Sequence, residues 1–190
     1  MSGSRLRTVV GDTSALVSLA VPRADTASDT NDTPDPFQYL LTSCDVFVPP
    51  EVIEELRDIA QYQDIHAAAA NNVLAASNHY TVQDPYERDD TPDDRPTFGL
   101  DHGETDSIVL ANALAVDGLL TDEFGGTNFP LIHAVLQGPR IVPTPRLICD
   151  YARNGHMAHV EARTLITVIS SHRSWGNSPY VTQLLQILEE

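Results

Sequence analysis

The chain has 190 residues, 42% of them hydrophobic, which is enough for one domain with a packed core and too few for two full domains. Its net charge is −16, from 27 acidic and 11 basic residues. No apolar run reaches the ~18 residues of a membrane span, and the start, MSGSRLRTVVGD, lacks the apolar stretch of a signal peptide. We therefore expect a cytoplasmic protein that does not cross a membrane.

The basic residues are unusual, because all 11 are arginine and the chain contains no lysine. An acidic chain of this kind resembles the proteins of extreme halophiles; an ordinary acidic cytosolic protein is the alternative. At about 1 M salt the Debye length is only ~3 Å, so the net charge would not repel a polyanion at long range. The acidic composition therefore does not exclude nucleic acid as a partner.

Short apolar runs and helical patterns alternate along the chain. In order, the pattern predicts strand 6–10, helices 13–20 and 37–41, strand 46–48, helices 51–59 and 64–77, strand 79–82, helix 103–116, strand 119–121, helix 128–136, strand 140–142, helix 145–153, and two helices within 156–190. Two acidic, proline-containing loops, 23–36 and 84–96, should be exposed, and the second should be poorly ordered. The alternation predicts a parallel sheet with right-handed crossovers, in which ligands bind at the carboxyl ends of the strands.

Two aspartates follow predicted strands. Asp12 comes after the first strand, in VVGDTSAL, and Asp122 comes after the fourth, in LLTDE. A helix cap is the structural alternative for Asp12, but Thr13 or Ser14 can cap the next helix equally well. Asp12 and Asp122 are therefore expected to meet at one edge of the sheet. Glu123 points away from this edge if the strand continues, but a turn after Asp122 would bring its side chain toward the two aspartates.

Two further acidic motifs lie on predicted helices. In VPPEVIEEL, Glu55 lies nearer the buried edge of the helix than Glu54, which should be solvated. In HGETDSIVLA, Asp106 lies three and four residues before two apolar positions, on a face that flanks the core. Glu104 lies in the first turn, where a carboxylate also stabilises the helix N-terminus. We predict Glu55 and Asp106 as site residues, with Glu54 and Glu104 as auxiliaries.

The four motifs together predict an oxygen-only site, without paired histidines or cysteines, which favours Mg²⁺ or Mn²⁺ over Zn²⁺. Two such ions ~3.5–4 Å apart activate a water and stabilise the leaving oxygen in phosphodiester hydrolysis. The predicted metal ligands are Asp12, Asp106 and Asp122. The chain has neither a GxxxxGK[ST] loop nor a GxGxxG motif.

At these residues the sequence resembles the PIN-domain ribonuclease family. The resemblance is carried by Asp12 in VVGDTSALV, Glu55 in VIEEL, Asp106 in DSIVLA and Asp122 in LLTDE. It implies a three-layer α/β/α fold with a mostly parallel, five-stranded sheet over 5–153, and a metal-dependent endoribonuclease in which these four acids are catalytic. Residues 156–190 would be a helical extension packed on that domain.

Two subfamilies compete within this resemblance. TDEFGGTNF is similar to a motif of the PIN nucleases that mature small-subunit ribosomal RNA, which makes Asn128 a candidate lining residue, as are Glu123 and Ser14. Those nucleases carry a zinc ribbon, whereas this chain has no CxxC pair. A VapC-like toxin, inhibited by an antitoxin protein, is the other subfamily, although such toxins tend to be shorter. GETDSIVLA also resembles a third PIN group, in which Glu104 would join the site.

The resemblance implies RNA as the substrate and allows a homodimer. The tail, with Trp175, Tyr180 and VTQLLQIL, predicts helices that complete the core or, alternatively, form a partner surface. A catalytically silent PIN-like module that binds RNA or protein is the alternative function. In that case the acids only stabilise the fold in salt.

Overall fold

A computed structural model describes residues 6–27, 33–124 and 126–189. Residues 28–32 of the predicted loop 23–36, and the end residues 5 and 190 of the predicted regions, lie outside that range. The chain forms a central sheet whose strands are β1 (Thr8–Gly11), β2 (Asp45–Val48), β3 (Thr81–Val82), β4 (Gly118–Leu120) and β5 (Arg140–Val142). The predicted five-stranded parallel sheet is confirmed, with the ends of four strands shifted by one or two residues.

All neighbouring strands pair in parallel, in the order β3-β2-β1-β4-β5. From β1 the chain proceeds outward to β2 and β3, then returns to place β4 on the other side of β1. The pair β1–β4 is thus where the strand order reverses. In open parallel sheets, the crevice outside the carboxyl ends of such strands is the usual ligand site.

Helices connect the strands. The described ones are α1 (Thr13–Ala24), α2 (Pro36–Ser43), α3 (Pro50–Ile59), α4 (Ile65–Ala75), α5 (His102–Leu114), α6 (Asn128–Val135), α7 (Thr144–Arg153), α8 (His159–His172) and α9 (Pro179–Ile187). Sequence signals explain several helix starts: Asp35 and Asp64 accept backbone N–H bonds at the starts of α2 and α4, and Pro50 occupies the first turn of α3. Helix α1 passes through Pro22 and ends beyond the predicted boundary at residue 20.

The two faces of the sheet bury two separate cores, because successive strand residues point to opposite sides. Val9 and Leu120 belong to one core, whereas Val10 and Leu119, their neighbours in sequence, belong to the other. Helices α1–α4 and α7–α9 contribute to the first core, and α5 and α6 to the second. This arrangement is the predicted three-layer α/β/α fold.

The C-terminal helices are part of the first core. Their buried residues are Ala162, Leu165, Ile166, Ile169, Trp175, Val181, Leu184 and Leu188. Most apolar residues of the tail therefore complete the domain, as the first of the two alternatives predicted. No helix in the described part of the chain is long and apolar enough to cross a membrane.

Candidate active site

A cavity of about 1030 Å³ opens at the carboxyl edge of β1 and β4. Acidic side chains from the strand ends, from α3 and from the start of α5 line it. The lining carboxylates are Asp12, Glu55, Asp64, Asp101, Glu104, Asp122 and Glu123. The fold thus brings together acids that are as much as 111 residues apart in the chain (123 − 12).

Asp12 begins α1 directly after β1. It is itself the N-cap residue, which confirms the structural alternative predicted for Asp12, and neither Thr13 nor Ser14 caps the helix. Its Oδ1 accepts the Thr13 backbone N–H (2.8 Å), and its Oδ2 accepts the hydroxyls of Ser14 (2.8 Å) and Thr121 (3.1 Å). The side chain is almost fully buried. Burial raises the pKa of Asp12 from 3.8 to about 6, against the lowering effect of these hydrogen bonds.

Asp122 faces the start of α7 across the end of β4. It accepts the Thr144 N–H at Oδ1 (2.8 Å) and the Thr144 hydroxyl at Oδ2 (3.1 Å). Its own backbone N–H donates to Ser14 Oγ (3.0 Å), the hydroxyl that donates to Asp12. Ser14, a predicted auxiliary, therefore joins the two strand-end aspartates. Burial raises the pKa of Asp122 from 3.8 to about 6.

Glu104 reaches the cavity from the first turn of α5. It forms a reciprocal capping box with Asp101, which satisfies two backbone N–H groups of the helix start. Asn128 Nδ2 donates to both carboxylate oxygens at 3.2 Å, so this predicted auxiliary orients Glu104. Burial, followed by the charge of Asp101, raises the pKa of Glu104 from 4.5 to about 7.

The structure places the two adjacent glutamates of α3, Glu54 and Glu55, in different surroundings. Glu55 lines the cavity and accepts a hydrogen bond from the Thr13 hydroxyl at Oε2. It packs against the start of α5, where a Cβ added to Gly103 would lie 2.7 Å from Glu55 Cδ, so a larger residue at 103 would displace the Glu55 carboxylate. Burial raises the pKa of Glu55. Glu54 is exposed, is paired with Arg57 and does not line the cavity.

Asp106 lies away from this cavity, contrary to the predicted grouping with Asp12 and Asp122. Arg95 binds both of its oxygens, with Nε–Oδ1 and Nη2–Oδ2 distances of 2.7 Å, and the Tyr86 hydroxyl donates to Oδ1 at 2.6 Å. Helix geometry explains the separation: at 3.6 residues per turn, residues two apart point about 200° from each other. Glu104 and Asp106 therefore cannot face the same cavity.

The same contacts attach the loop 84–96 to the domain. Arg95 also pairs with Glu51 on α3 at 2.8 Å, and Pro85 is buried. A 3-10 turn at Pro85–Glu87 positions Tyr86 beside Asp106. The prediction of a wholly exposed loop is therefore wrong near both ends, where an arginine and a tyrosine satisfy a buried aspartate.

Glu123 turns inward after Asp122. It lines the cavity, and its backbone N–H donates to the Thr121 hydroxyl at 3.3 Å. Thr121 in turn donates to Asp12. The inward turn that the sequence left as an alternative is thus the observed conformation.

Sequence reasoning missed the cationic side of the cavity. His66 on α4, His172 at the end of α8 and Arg173 after it all line the cavity. Arg173 Nη2 donates to the Ser14 carbonyl oxygen at 2.8 Å, across a separation of 159 residues. The local sequence around Arg173 carries no motif that indicates this contact, because long-range packing of the tail creates it.

Three acids of the cavity, Asp12, Glu104 and Asp122, have no salt-bridge partner among the described residues. Throughout the described ranges, no arginine or histidine nitrogen lies within 4.0 Å of a carboxylate oxygen of Asp12, Glu104 or Asp122. Burying an unpaired charge is costly, which is why the pKa values of these acids are raised. Such a cluster gains stability by binding protons or a cation.

The cluster is not a ready-made cage for a metal. Within the described residues, no three His, Cys, Asp or Glu side chains are grouped closely enough to hold one ion directly. Mg²⁺ commonly binds through one or two carboxylates and keeps several waters, so the oxygen donors present fit an ion of this kind held partly through water.

Comparison of the chain with models of known protein families gives no match, and comparison with curated proteins gives no significant match. The PIN-like interpretation therefore rests on the acidic motifs and on the cavity that the fold forms from them.

Proposed function

We propose that the protein is a divalent-metal-dependent endoribonuclease that hydrolyses phosphodiester bonds in this cavity. The observation that carries the proposal is the group of buried, unpaired carboxylates at the carboxyl edge of β1 and β4. Asp12, Glu104 and Asp122 all have raised pKa values because of burial. A cation site explains why uncompensated acids are concentrated here, since perturbed carboxylates in a cleft are typical of functional sites.

The acids that would hold the metal in this proposal, some of them through water, are Asp12, Glu104 and Asp122, with Glu55 beside them. Bound Mg²⁺ or Mn²⁺ would lower the pKa of a water molecule and offset the negative charge of the phosphate. The protein contributes orientation. Hydroxyl groups direct Asp12 and Asp122, and Asn128 directs Glu104. Thr13 occupies Glu55 Oε2 and leaves Oε1 to accept a proton from a water molecule.

Asp106 is not included among these ligands, because Arg95 occupies both of its oxygens. Its role in the proposal is to fix the loop 84–96 against α3 and α5. The sequence pattern ranked Asp106 above Glu104, and the proposal takes the opposite order because Glu104 lines the cavity and Asp106 does not.

RNA is proposed as the substrate because the acidic motifs resemble those of PIN ribonucleases. A protein inhibitor and a homodimer stay predictions of the same resemblance. The cavity supports the class of reaction, phosphodiester hydrolysis, more directly than it supports the choice of RNA.

The decisive test is RNA cleavage with Mn²⁺ in high salt. Asp12→Asn and Glu104→Gln should each lower the cleavage rate by about 100-fold or more, since groups that only orient a metal ligand already contribute 10- to 100-fold. Asp58→Asn, at an exposed position on α3, is the matched control and should cleave like wild type.

Two results would overturn parts of the proposal. Equal cleavage by wild type and Asp12→Asn would reject hydrolysis at this cavity. Complete loss of cleavage in a folded Asp106→Asn protein would return Asp106 to the site. Calorimetric titration with Mn²⁺ separates the silent-module alternative, which predicts no metal affinity in the wild type.

A further inference from the structure

The C-terminal segment gives the carboxylate cavity a cationic wall. Arg173 is the only arginine among the described residues that line the cavity. His172 is directed to Asp25, with Nε2 3.1 Å from Oδ2. His66 has its pKa lowered, first by burial and then by the charge of Arg173, so it is mainly neutral near pH 7. Arg173 therefore supplies the permanent positive charge of this wall.

Arg173 is held in place without being neutralised. Its described hydrogen bond is to a backbone carbonyl oxygen, that of Ser14. In the described part of the chain, it has no carboxylate oxygen within 4.0 Å. A guanidinium carries several N–H donors in a planar fork, so donors remain for a ligand. An arginine that lies in an acidic cavity but pairs with none of its acids points to an anion as the missing partner.

The position of Arg173 relative to the acids is also informative. It contacts the backbone of Ser14, whose hydroxyl joins Asp12 to Asp122. Its charge lowers the pKa of Asp122, although burial has the larger, opposite effect. An anion bound by Arg173 would thus lie next to the proposed metal ligands, where a scissile phosphate must lie.

We propose that Arg173 is a substrate-binding residue whose guanidinium binds a non-bridging phosphate oxygen of the substrate strand. This inference rests on the proposed nuclease function. The planar guanidinium matches the geometry of phosphate oxygens and can bind two of them at once. The carboxylates alone would repel the phosphate, so the cation that they hold and Arg173 together provide the attraction.

The test is binding of a labelled single-stranded RNA, measured by fluorescence anisotropy with Ca²⁺ in place of Mn²⁺, with the RNA checked for integrity afterwards. Arg173→Gln should weaken binding by roughly 10-fold to 100-fold, the effect of losing a charge-assisted hydrogen bond. It should also reduce the slope of log K against log salt by about 0.7, the value for one phosphate contact on a single strand. Its Mn²⁺ affinity should stay within about 3-fold of wild type, because Arg173 holds no metal.

The matched control is Arg163→Gln on α8, an exposed arginine whose Nη2 lies 2.8 Å from Glu189. It should leave both the affinity and the salt slope unchanged. Arg173→Gln with a wild-type affinity, or with weakened binding but an unchanged salt slope, would overturn the inference, because a purely structural role predicts no change in slope.

A second variant covers the case in which Arg173→Gln does not fold. Arg173→Lys keeps the charge and loses the fork, so it should bind RNA more weakly than wild type with the wild-type salt slope. A lysine variant with wild-type affinity would overturn the role of the guanidinium.

Failure of the subsite and failure of the nuclease proposal give different results. Cleavage that is equal in wild type and Arg173→Gln rejects the subsite alone. RNA binding that depends on Arg173, without cleavage by wild type in Mn²⁺, rejects the nuclease function and keeps the subsite. A wild-type protein that does not bind RNA rejects the subsite.

Discussion

Two buried aspartates in this protein have opposite surroundings. Asp12 is 4% exposed and Asp106 is 3% exposed. Asp106 is bound at both oxygens by Arg95 and at one by Tyr86, whereas Asp12 has only neutral donors. The two aspartates are equally buried, but only Asp106 is hydrogen-bonded to a positively charged side chain.

The difference gives a criterion that separates structural acids from candidate functional acids. A carboxylate that stabilises the fold has its counter-charge within the chain, as Asp106 has in Arg95. A carboxylate that binds a cation from solution is left without one, and the fold tolerates the cost. Asp106 meets the first description, and Asp12, Glu104 and Asp122 have no salt-bridge partner in the described part of the chain, as the proposed cation site requires.

Removal of the charge of Asp106 should have the largest effect on stability. Asp106→Asn should lower the free energy of unfolding by about 3 kcal/mol, the lower end for a broken buried pair, because Arg95 is partly exposed and keeps its pair with Glu51. Urea unfolding at pH 7.5 measures this. A loss below about 0.5 kcal/mol would mean that the Arg95 pair is worth no more than a surface ion pair.

Asp12→Asn should act in the opposite direction, and its effect should depend on pH. The pKa of Asp12 is about 6 in the folded protein, against an ordinary value of 3.8 for an aspartate in an unfolded chain, so between these values the folded state binds more protons than the unfolded state. The free energy of unfolding of the wild type should therefore fall as pH rises from about 4 to about 7, by up to about 3 kcal/mol from this residue. Asp12→Asn removes that contribution and should be the more stable protein above pH 7.

Urea titrations of wild type and Asp12→Asn at a series of pH values measure this difference. A difference in stability that does not change with pH would contradict the raised pKa. Saturating Mn²⁺ should stabilise the wild type at pH 7.5, since a ligand that binds only the folded state raises its stability, and should stabilise Asp12→Asn much less.

The smallest effect is expected at Glu54, the exposed neighbour of Glu55. Glu54→Gln breaks only its pair with Arg57, in which both side chains are more than half exposed. The free energy of unfolding should change by less than about 0.5 kcal/mol, and cleavage should not change. Glu55→Gln is the matched variant and should lower cleavage. Equal activities of the two variants would remove Glu55 from the site.

The layout of the fold is predictable, because its signals are local. Apolar runs such as that of β1, prolines at helix starts and the alternation of strands and helices are all read from short windows of sequence. The positions of Asp12 and Asp122 at the edge of the sheet follow from the parallel topology, since strand ends in such a sheet share one edge.

Partners that lie far apart in the chain are not predictable in this way. The sequence favours Asp106 as a ligand because it does not show that Arg95, from a loop predicted to be exposed, neutralises this aspartate. Arg173 carries no signal because its contact with Ser14 depends on how the last helices pack. Helical periodicity alone, by contrast, distinguishes the half-buried position of Glu55, which lines the cavity, from the exposed position of Glu54.

The contact between Arg173 and Ser14 has a consequence for synthesis of the chain on the ribosome. The carboxylates have all been synthesised by residue 123, but the cationic wall is added only when the segment after α8 emerges and folds onto α1. A nascent chain would therefore carry the acids without the group proposed to hold a phosphate. If RNA is the substrate, as proposed, the nascent chain would bind it more weakly until this late segment has folded, during synthesis on the RNA-rich surface of the ribosome.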